Sequence, residues 1–299
     1  MALVAVAAAG CGVGAGDESG SVELTVSRDH GGEVLRDEEV EINESDTVLR
    51  ALDRTADLET RYGGGFVQSI DGLAGGTDDG RRSDWFYYVN GIEAPVGSAD
   101  YEPADGESVW WDHHDWSTAM RVPAVVGDWP EPFVHGYGGE RWPSGIYCGA
   151  ARGACELIDQ ELTAAGVETG SDPGPADDAA SGEEIRVLVG TWDEIGDDSV
   201  AGLLRGGPQR SGVFATFAGE SPSSGLTLLD DRGRVTETLT AGAGLVAALR
   251  PEDGPPTWVV TGTDARGVAA AAELFGEDLD GRFAAAAIEN EGSVGVPVR

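Results

Sequence analysis

The most constraining stretch of this chain is Asp84-Trp85-Phe86-Tyr87-Tyr88-Val89, followed at once by Asn90-Gly91. Aromatic and β-branched side chains suit the pleated, half-buried surface of a sheet, and Asn-Gly is the strongest short signal for a two-residue hairpin turn. The stretch is therefore read as a strand entering a hairpin. Successive side chains of a strand point to opposite faces, so Trp85, Tyr87 and Val89 share one face, Phe86 and Tyr88 the other. One face must be core. For the other, two readings stay open. Exposed rings with polar tips would hold a flat, partly apolar ligand. Alternatively a further layer covers them, since aromatic stripes usually lie inside.

The residues around this strand alternate between short strands and one helix. Ser21–Arg28 alternates apolar and polar, the pattern of a half-buried strand. His30-Gly31-Gly32 turns the chain, and Glu33-Val34-Leu35 opens a second strand. Ser45 or Asp46 is placed to cap a helix whose apolar positions are Val48, Leu49, Leu52 and Leu58. Phe66–Ile70 is a third strand closed by Asp71-Gly72, and Ser108-Val109-Trp110-Trp111 closes the series after the Asp105-Gly106 turn. Two strands, a helix and then further strands make a β-grasp order.

Trp85–Gly91, then Pro95–Tyr101, then Asp105-Gly106-Glu107 follow one another in a way that resembles the transcobalamin-like C-terminal domain family. Thr47–Leu52 matches that family's Thr-Val-Leu-x-Ala-Leu helix, and Ile70-Asp71-Gly72 a second segment. The resemblance covers residues 21–117, about a third of the chain. It implies a β-grasp-like domain and a seat for cobalamin or a related corrinoid. Trp85 falls where the family sets a tryptophan close to its ligand, Tyr87 shares its face, and Pro95 and Val96 would form the ligand-facing lip. In transcobalamin and intrinsic factor a separate helical domain closes over cobalamin, and this sequence has no such domain. The family also occurs in bacterial surface proteins with no settled ligand. The resemblance thus implies either a binding protein that presents its ligand to a vitamin-uptake transporter, or a structural or adhesive surface protein with no small-molecule ligand.

Beyond residue 117 the character changes. Pro123, Pro130, Pro132 and Pro143 mark residues 118–145 as an irregular connector. Residues 146–299 are read as a small α/β domain interrupted by an acidic Gly/Pro loop at 168–184. A weak repeat supports this reading: Val187–Thr191, a helix and Gly212–Phe214 parallel Val259–Thr263, the helix Val268–Phe275 and Gly281–Phe283. Each unit reads as strand, Gly-Thr turn, helix, strand, which predicts βαβ-type units; chance similarity is the competing explanation. The fold class expected for the whole is α+β.

Charge narrows the partners. There are 54 acids against 19 bases, all arginine, for a formal net charge of −35. Nucleic-acid affinity comes mainly from neutralising phosphates, so a nucleic-acid partner is not expected. No stretch beyond the N-terminus offers the ~20 apolar residues of a membrane span. The start, however, runs Met1 to Ala9 in apolar and small residues into Gly10-Cys11. Ala8-Ala9-Gly10-Cys11 resembles a bacterial lipobox. It has no positive leader ahead of it, so whether Met1 is the true start stays open; an alanine-rich tail with a chance cysteine is the alternative. Residues 1–20 are read as a lipoprotein signal and flexible tether. They place the protein outside the cytoplasm, held at the membrane through lipid on Cys11. In that compartment Cys148 and Cys155 pair most simply as a disulfide.

Catalytic and metal chemistry find little support. In Asp112-His113-His114-Asp115 only alternate residues can converge on one side of a strand, and two ligands such as Asp112 with His114 make a poor metal site. Gly190-Thr191 and Gly262-Thr263-Asp264 lack the lysine and the glycine pattern of a nucleotide loop and are read as turns with helix N-caps. No nucleophile motif is present, so neither an enzyme nor a required cofactor is expected. The anchor is checked by mass spectrometry of native protein, which should find a lipidated N-terminal Cys11; an unmodified chain starting at Met1 in the soluble cytoplasmic fraction would contradict it.

Overall fold

The computed structural model describes residues 20–170, 183–217, 225–251 and 253–299; Cys11 and most of the 168–184 loop lie outside these. The fold is α+β, with strands predominating.

β1 (Gly20–Arg28) buries Val22, Leu24 and Val26, as its alternation predicts. It turns into β2 (Glu33–Ile42), much longer than the Glu33–Leu35 start visible in the sequence. The reason is position: β2 is the sheet edge, where its acidic side chains sit in water and no strict apolar alternation is needed. Helix α1 (Val48–Asp53) is capped by Thr47, whose hydroxyl accepts from the Arg50 N–H, rather than by Ser45 or Asp46. Leu58, expected on that helix, instead opens β3 (Leu58–Arg61), which pairs with β4 (Phe66–Ile70) and through it with β5 (Leu73–Ala74). β6 (Gly76–Asp78), β7 (Arg81–Val89), β8 (Ile92–Glu93) and β9 (Ser108–Asp115) complete this half. The sheet order is β2-β1-β9-β7-β6, with β8 on β7 and with β1 and β9 parallel at the centre. That is the expected β-grasp arrangement. Asn90 and Gly91 take φ of 50° and 72°, and Val89 faces Ile92 across them, so the predicted tight hairpin forms.

The second half contains β10 (Ser144–Cys148), α2 (Arg152–Ala164), β11 (Ile185–Thr191), α3 (Trp192–Ile195), α4 (Pro208–Ser211), β12 (Ala215–Phe217), β13 (Leu226–Leu229) and β14 (Val235–Leu239). β15 (Ala243–Leu249), β16 (Thr257–Gly262), α5 (Ala265–Glu273), β17 (Ala284–Ile288) and β18 (Gly292–Val296) follow. One mixed sheet runs β10-β11-β16-β15-β17-β18, and β12-β13-β14 form a second. Helices α2 and α5 cover one face of the mixed sheet, where Ile158, Leu162, Val268 and Ala271 meet Val187, Val189, Val246 and Val260. The disulfide Cys148–Cys155, with Cα atoms 6.2 Å apart, ties the end of β10 to α2.

The expected repeat holds only in part. β10-α2-β11 is a direct parallel crossover. After β11 the chain instead reaches β12, which belongs to the small sheet. After α5 it returns as β17, separated from β16 by the antiparallel β15. The two Gly-Thr turns do serve as caps: Thr191 with Glu194 forms a capping box, and Asp264 accepts from the N–H groups of Arg266 and Gly267.

The halves meet through the aromatic strand. Tyr88 and Trp110 belong to the same buried cluster as Leu188, Phe214, Leu245, Val259 and Phe283, and Phe86 packs against it. The reading of an open aromatic face is therefore corrected: the mixed sheet's second face covers Phe86 and Tyr88. The tip of the β1–β2 hairpin seals the seam. Gly31 has φ of 74°, and a Cβ there would lie 2.2 Å from the Gly281 carbonyl oxygen and 2.9 Å from the Trp110 ring. Gly72, also at positive φ (84°), has nothing within 4 Å. Gly72→Ala should cost about 1 kcal/mol from the left-handed backbone alone. Gly31→Ala should cost about 2–4 kcal/mol, because overpacking adds to that strain. Urea unfolding of the two variants side by side measures the difference.

Candidate functional site

Trp85 and Tyr87 lie together on the core face of β7, 6% and 7% exposed, packed with Val22, Leu24, Leu52 and Trp111. The Trp85 indole N–H donates to the Leu73 carbonyl (2.9 Å). The Tyr87 ring stacks on Trp111, and its hydroxyl donates to the Val96 carbonyl (2.7 Å). Burial pushes the Tyr87 hydroxyl well above its ordinary pKa, so it stays a donor at neutral pH. Pro95 and Val96 are exposed, Val96 at 45%. Of the four residues singled out by resemblance, Pro95 and Val96 lie at the surface and Tyr87 bonds their backbone from the core, while Trp85 packs in the same core and bonds Leu73 instead.

The structure adds two rings to that surface. Tyr62 is 89% exposed, in a left-handed conformation with φ of 54°, and its ring meets Phe66 edge-on. A Cβ on Gly97 would come within 3.2 Å of the Gly65 carbonyl oxygen, which places the Tyr62–Gly65 turn beside the Val96–Gly97 lip. An exposed tyrosine at positive φ is uncommon and is not stabilised by burial. In the sequence Tyr62 reads only as the residue before a Gly-Gly-Gly break, so nothing there marks it as surface-directed.

A second cluster lies on the opposite face of β9. The buried carboxylate of Asp112 accepts from the Ser27 hydroxyl, from the backbone N–H groups of His30 (3.0 Å) and Gly31 (2.9 Å), and bonds His114 Nδ1 (2.8 Å). Burial opposes its charge, but the bonds from His114 and Ser27 and the neighbouring imidazoles outweigh it and hold its pKa down at about 2. His30 stacks on His114 with ring centres 4.5 Å apart and meets Phe214 and Phe283 edge-on. Its Nε2 has no hydrogen-bond partner. Burial first, then His114, pushes its pKa well below the ordinary value. A serine, an aspartate and a histidine meet here, but both Ser27 and His114 bond to Asp112. No bond between hydroxyl and imidazole prepares Ser27 as a nucleophile. Asp112 and His114 do share a face, as strand alternation requires, while His113 points to the core beside Trp85. Among the described residues, no group of three or more His, Cys, Asp or Glu side chains is arranged to hold a metal ion.

Comparison with known proteins bears on the first half. A family model described as "Domain of unknown function (DUF4430)" matches residues 45–115. No curated protein matches the chain. Among solved structures, the chain is similar to haptocorrin in complex with Cbi, at 19% identity and a TM-score of 0.27, over 32% of this chain and 26% of that one. It is also similar to a Ruminococcus gnavus ATCC 29149 protein provisionally described as metal binding, at 17% identity and a TM-score of 0.25, over 32% of this chain and 97% of that one. The chain thus spans about a quarter of the haptocorrin length.

The seam carries opposing titrations. His30, depressed in the fold, takes up a proton more readily when unfolded, so it lowers stability as pH falls below 6.5. Asp112 adds to that loss between about pH 4 and 2. Asp128, half-buried beneath the hairpin where it accepts from the Gly91 N–H, is pushed up to about 7 by desolvation. It acts the other way, adding stability as pH falls from 7 towards 4. His30→Gln should therefore flatten the acid-side loss. Asp128→Asn should raise stability at pH 8 and steepen that loss. Urea midpoints from pH 4 to 8 test both signs.

Proposed function

We propose that this chain is a non-enzymatic, extracytoplasmic binding protein, lipid-anchored through Cys11, whose β-grasp-like domain holds a flat, partly apolar ligand on the lip of Pro95 and Val96. The observation that supports this best is the exposed apolar surface made by Val96 with Tyr62, backed by the buried Tyr87 hydroxyl that bonds the Val96 carbonyl. Such a surface gives a planar ligand something to stack on while its backbone support stays rigid. Cobalamin or a related corrinoid is the ligand that the family resemblance suggests, with a vitamin-uptake transporter as the partner that would receive it. In this reading Trp85 and Tyr87 shape the seat from below, and contact with the ligand falls to the lip.

The alternative, a structural or adhesive surface protein without a small-molecule ligand, is favoured by the covering of Phe86 and Tyr88 by the second half of the chain. That covering removes the larger of the two aromatic surfaces from any ligand.

Titration calorimetry of the intact protein with cobalamin and cobinamide separates the two. Binding at millimolar affinity or better is expected, with Tyr62→Ala losing about 1–3 kcal/mol of it and leaving the fold intact. Trp85→Ala should instead lose about 3–5 kcal/mol of stability, as a truncated core ring does. A folded wild-type sample that gives no heat with either corrinoid would end the corrinoid reading.

A further inference from the structure

The seam between the two halves holds a cavity of about 480 Å³, walled on one side by His30, Gly31 and Val34 of the hairpin and on the other by residues 280–283 and 294–297, with Arg299. Its charge is out of keeping with the rest of the molecule. In a chain of 54 acids and 19 bases, two arginines, Arg282 and Arg299, line this single space. Ten other arginines pair with carboxylates; among the described residues these two pair with none. Both are nevertheless held in place. Arg282 Nη1 donates to the Ser293 hydroxyl (2.9 Å), and Arg299 Nη2 donates to the carbonyl oxygens of Asp29 (3.0 Å) and His30 (3.4 Å). A guanidinium carries five N–H donors, so each keeps donors to spare.

Arg299 lies directly over the hairpin, where a Cβ on Gly32 would fall 1.6 Å from its guanidinium carbon. His30, 4% exposed, also lines the cavity, with its Nε2 unpartnered. The rest of the wall is largely apolar: Val34, Phe283, Val294, Val296 and Pro297. Asp280 is the one acid in the lining. It bonds neither arginine.

We propose that this cavity binds a small organic carboxylate, its charge taken by Arg282 and Arg299 and its apolar body by the valine and proline wall. Forked guanidinium groups fit a carboxylate geometrically as well as electrostatically, and the volume is that of a small-molecule site. The site is separate from the lip and does not rest on it. A bound anion would touch both halves and so close the seam.

The test is calorimetry of the full chain at pH 7 and low salt with hexanoate, hexanol and acetate. Hexanoate should bind below about 1 mM, with acetate at least about tenfold weaker and hexanol silent. Arg282→Ala and Arg299→Ala, each checked for folding by circular dichroism, should each weaken hexanoate by about tenfold or more. On the unmodified protein, hexanoate should shift the imidazole NMR signals of His30 and leave those of His135 unmoved. Equal binding of hexanoate and hexanol, full affinity in both arginine variants, an unmoved His30 signal, or no heat at 10 mM would each overturn the proposal.

Discussion

The carboxylate of Asp112 is the point on which the two halves depend. It is fully buried, and a lone buried charge is costly unless it is paired and hydrogen-bonded. Here two of its donors are the backbone N–H groups of His30 and Gly31, the residues that turn β1 into β2. Satisfying the charge therefore fixes the shape of the hairpin tip. That tip in turn presses Gly31 against Gly281 and sets the His30 ring among Phe214 and Phe283. The Trp110 indole joins the network by donating to the Ser27 hydroxyl, which itself donates to Asp112. A charge from the centre of one sheet thus positions the surface that docks on the other.

Docking decides which aromatic residues remain at the surface. β7 and β9 carry large rings on both faces, and the two faces go to two different cores: Trp85, Tyr87 and Trp111 to the β-grasp core, Tyr88 and Trp110 to the seam. What is left at the surface is smaller and lies off the strand, at Tyr62, Pro95 and Val96. Arg81 reinforces the same joint from the start of β7, reaching both Asp115 of β9 and Asp231 of the second half. Ten of the nineteen arginines are committed to such pairs. Arg282 and Arg299 are among those that are not, and they line one cavity together.

Much of the first half was legible because its signals are local. Alternation in Ser21–Arg28, the Asn90-Gly91 turn and the aromatic run each report backbone geometry within a few residues, and the observed strands follow them. The second half was less legible. β13, β15 and β17 are short apolar runs, and buried runs of that kind do not declare strand or helix by period. Leu226–Leu229 and Ala284–Ile288 become strands through the sheets they join. The repeat held only in part for the same reason: strand-turn-helix is a local pattern, but whether the next strand returns to the same sheet is not.

By itself, the sequence determined the β-grasp order, the hairpin turns, the helix caps at Thr191 and Asp264, the acidic surface and the spacing that lets Cys148 meet Cys155. All of these arise from interactions between residues close in the chain or from composition alone. Only the tertiary structure decided that Phe86 and Tyr88 are covered, that Trp85 and Tyr87 are buried while Val96 is exposed, that Asp112 serves a hairpin more than 80 residues away, and that Arg282 and Arg299 share a cavity. Alternation can say that two side chains face the same way. What they face is set by which distant segment buries the most apolar surface against them, and that is a property of the whole chain packed together.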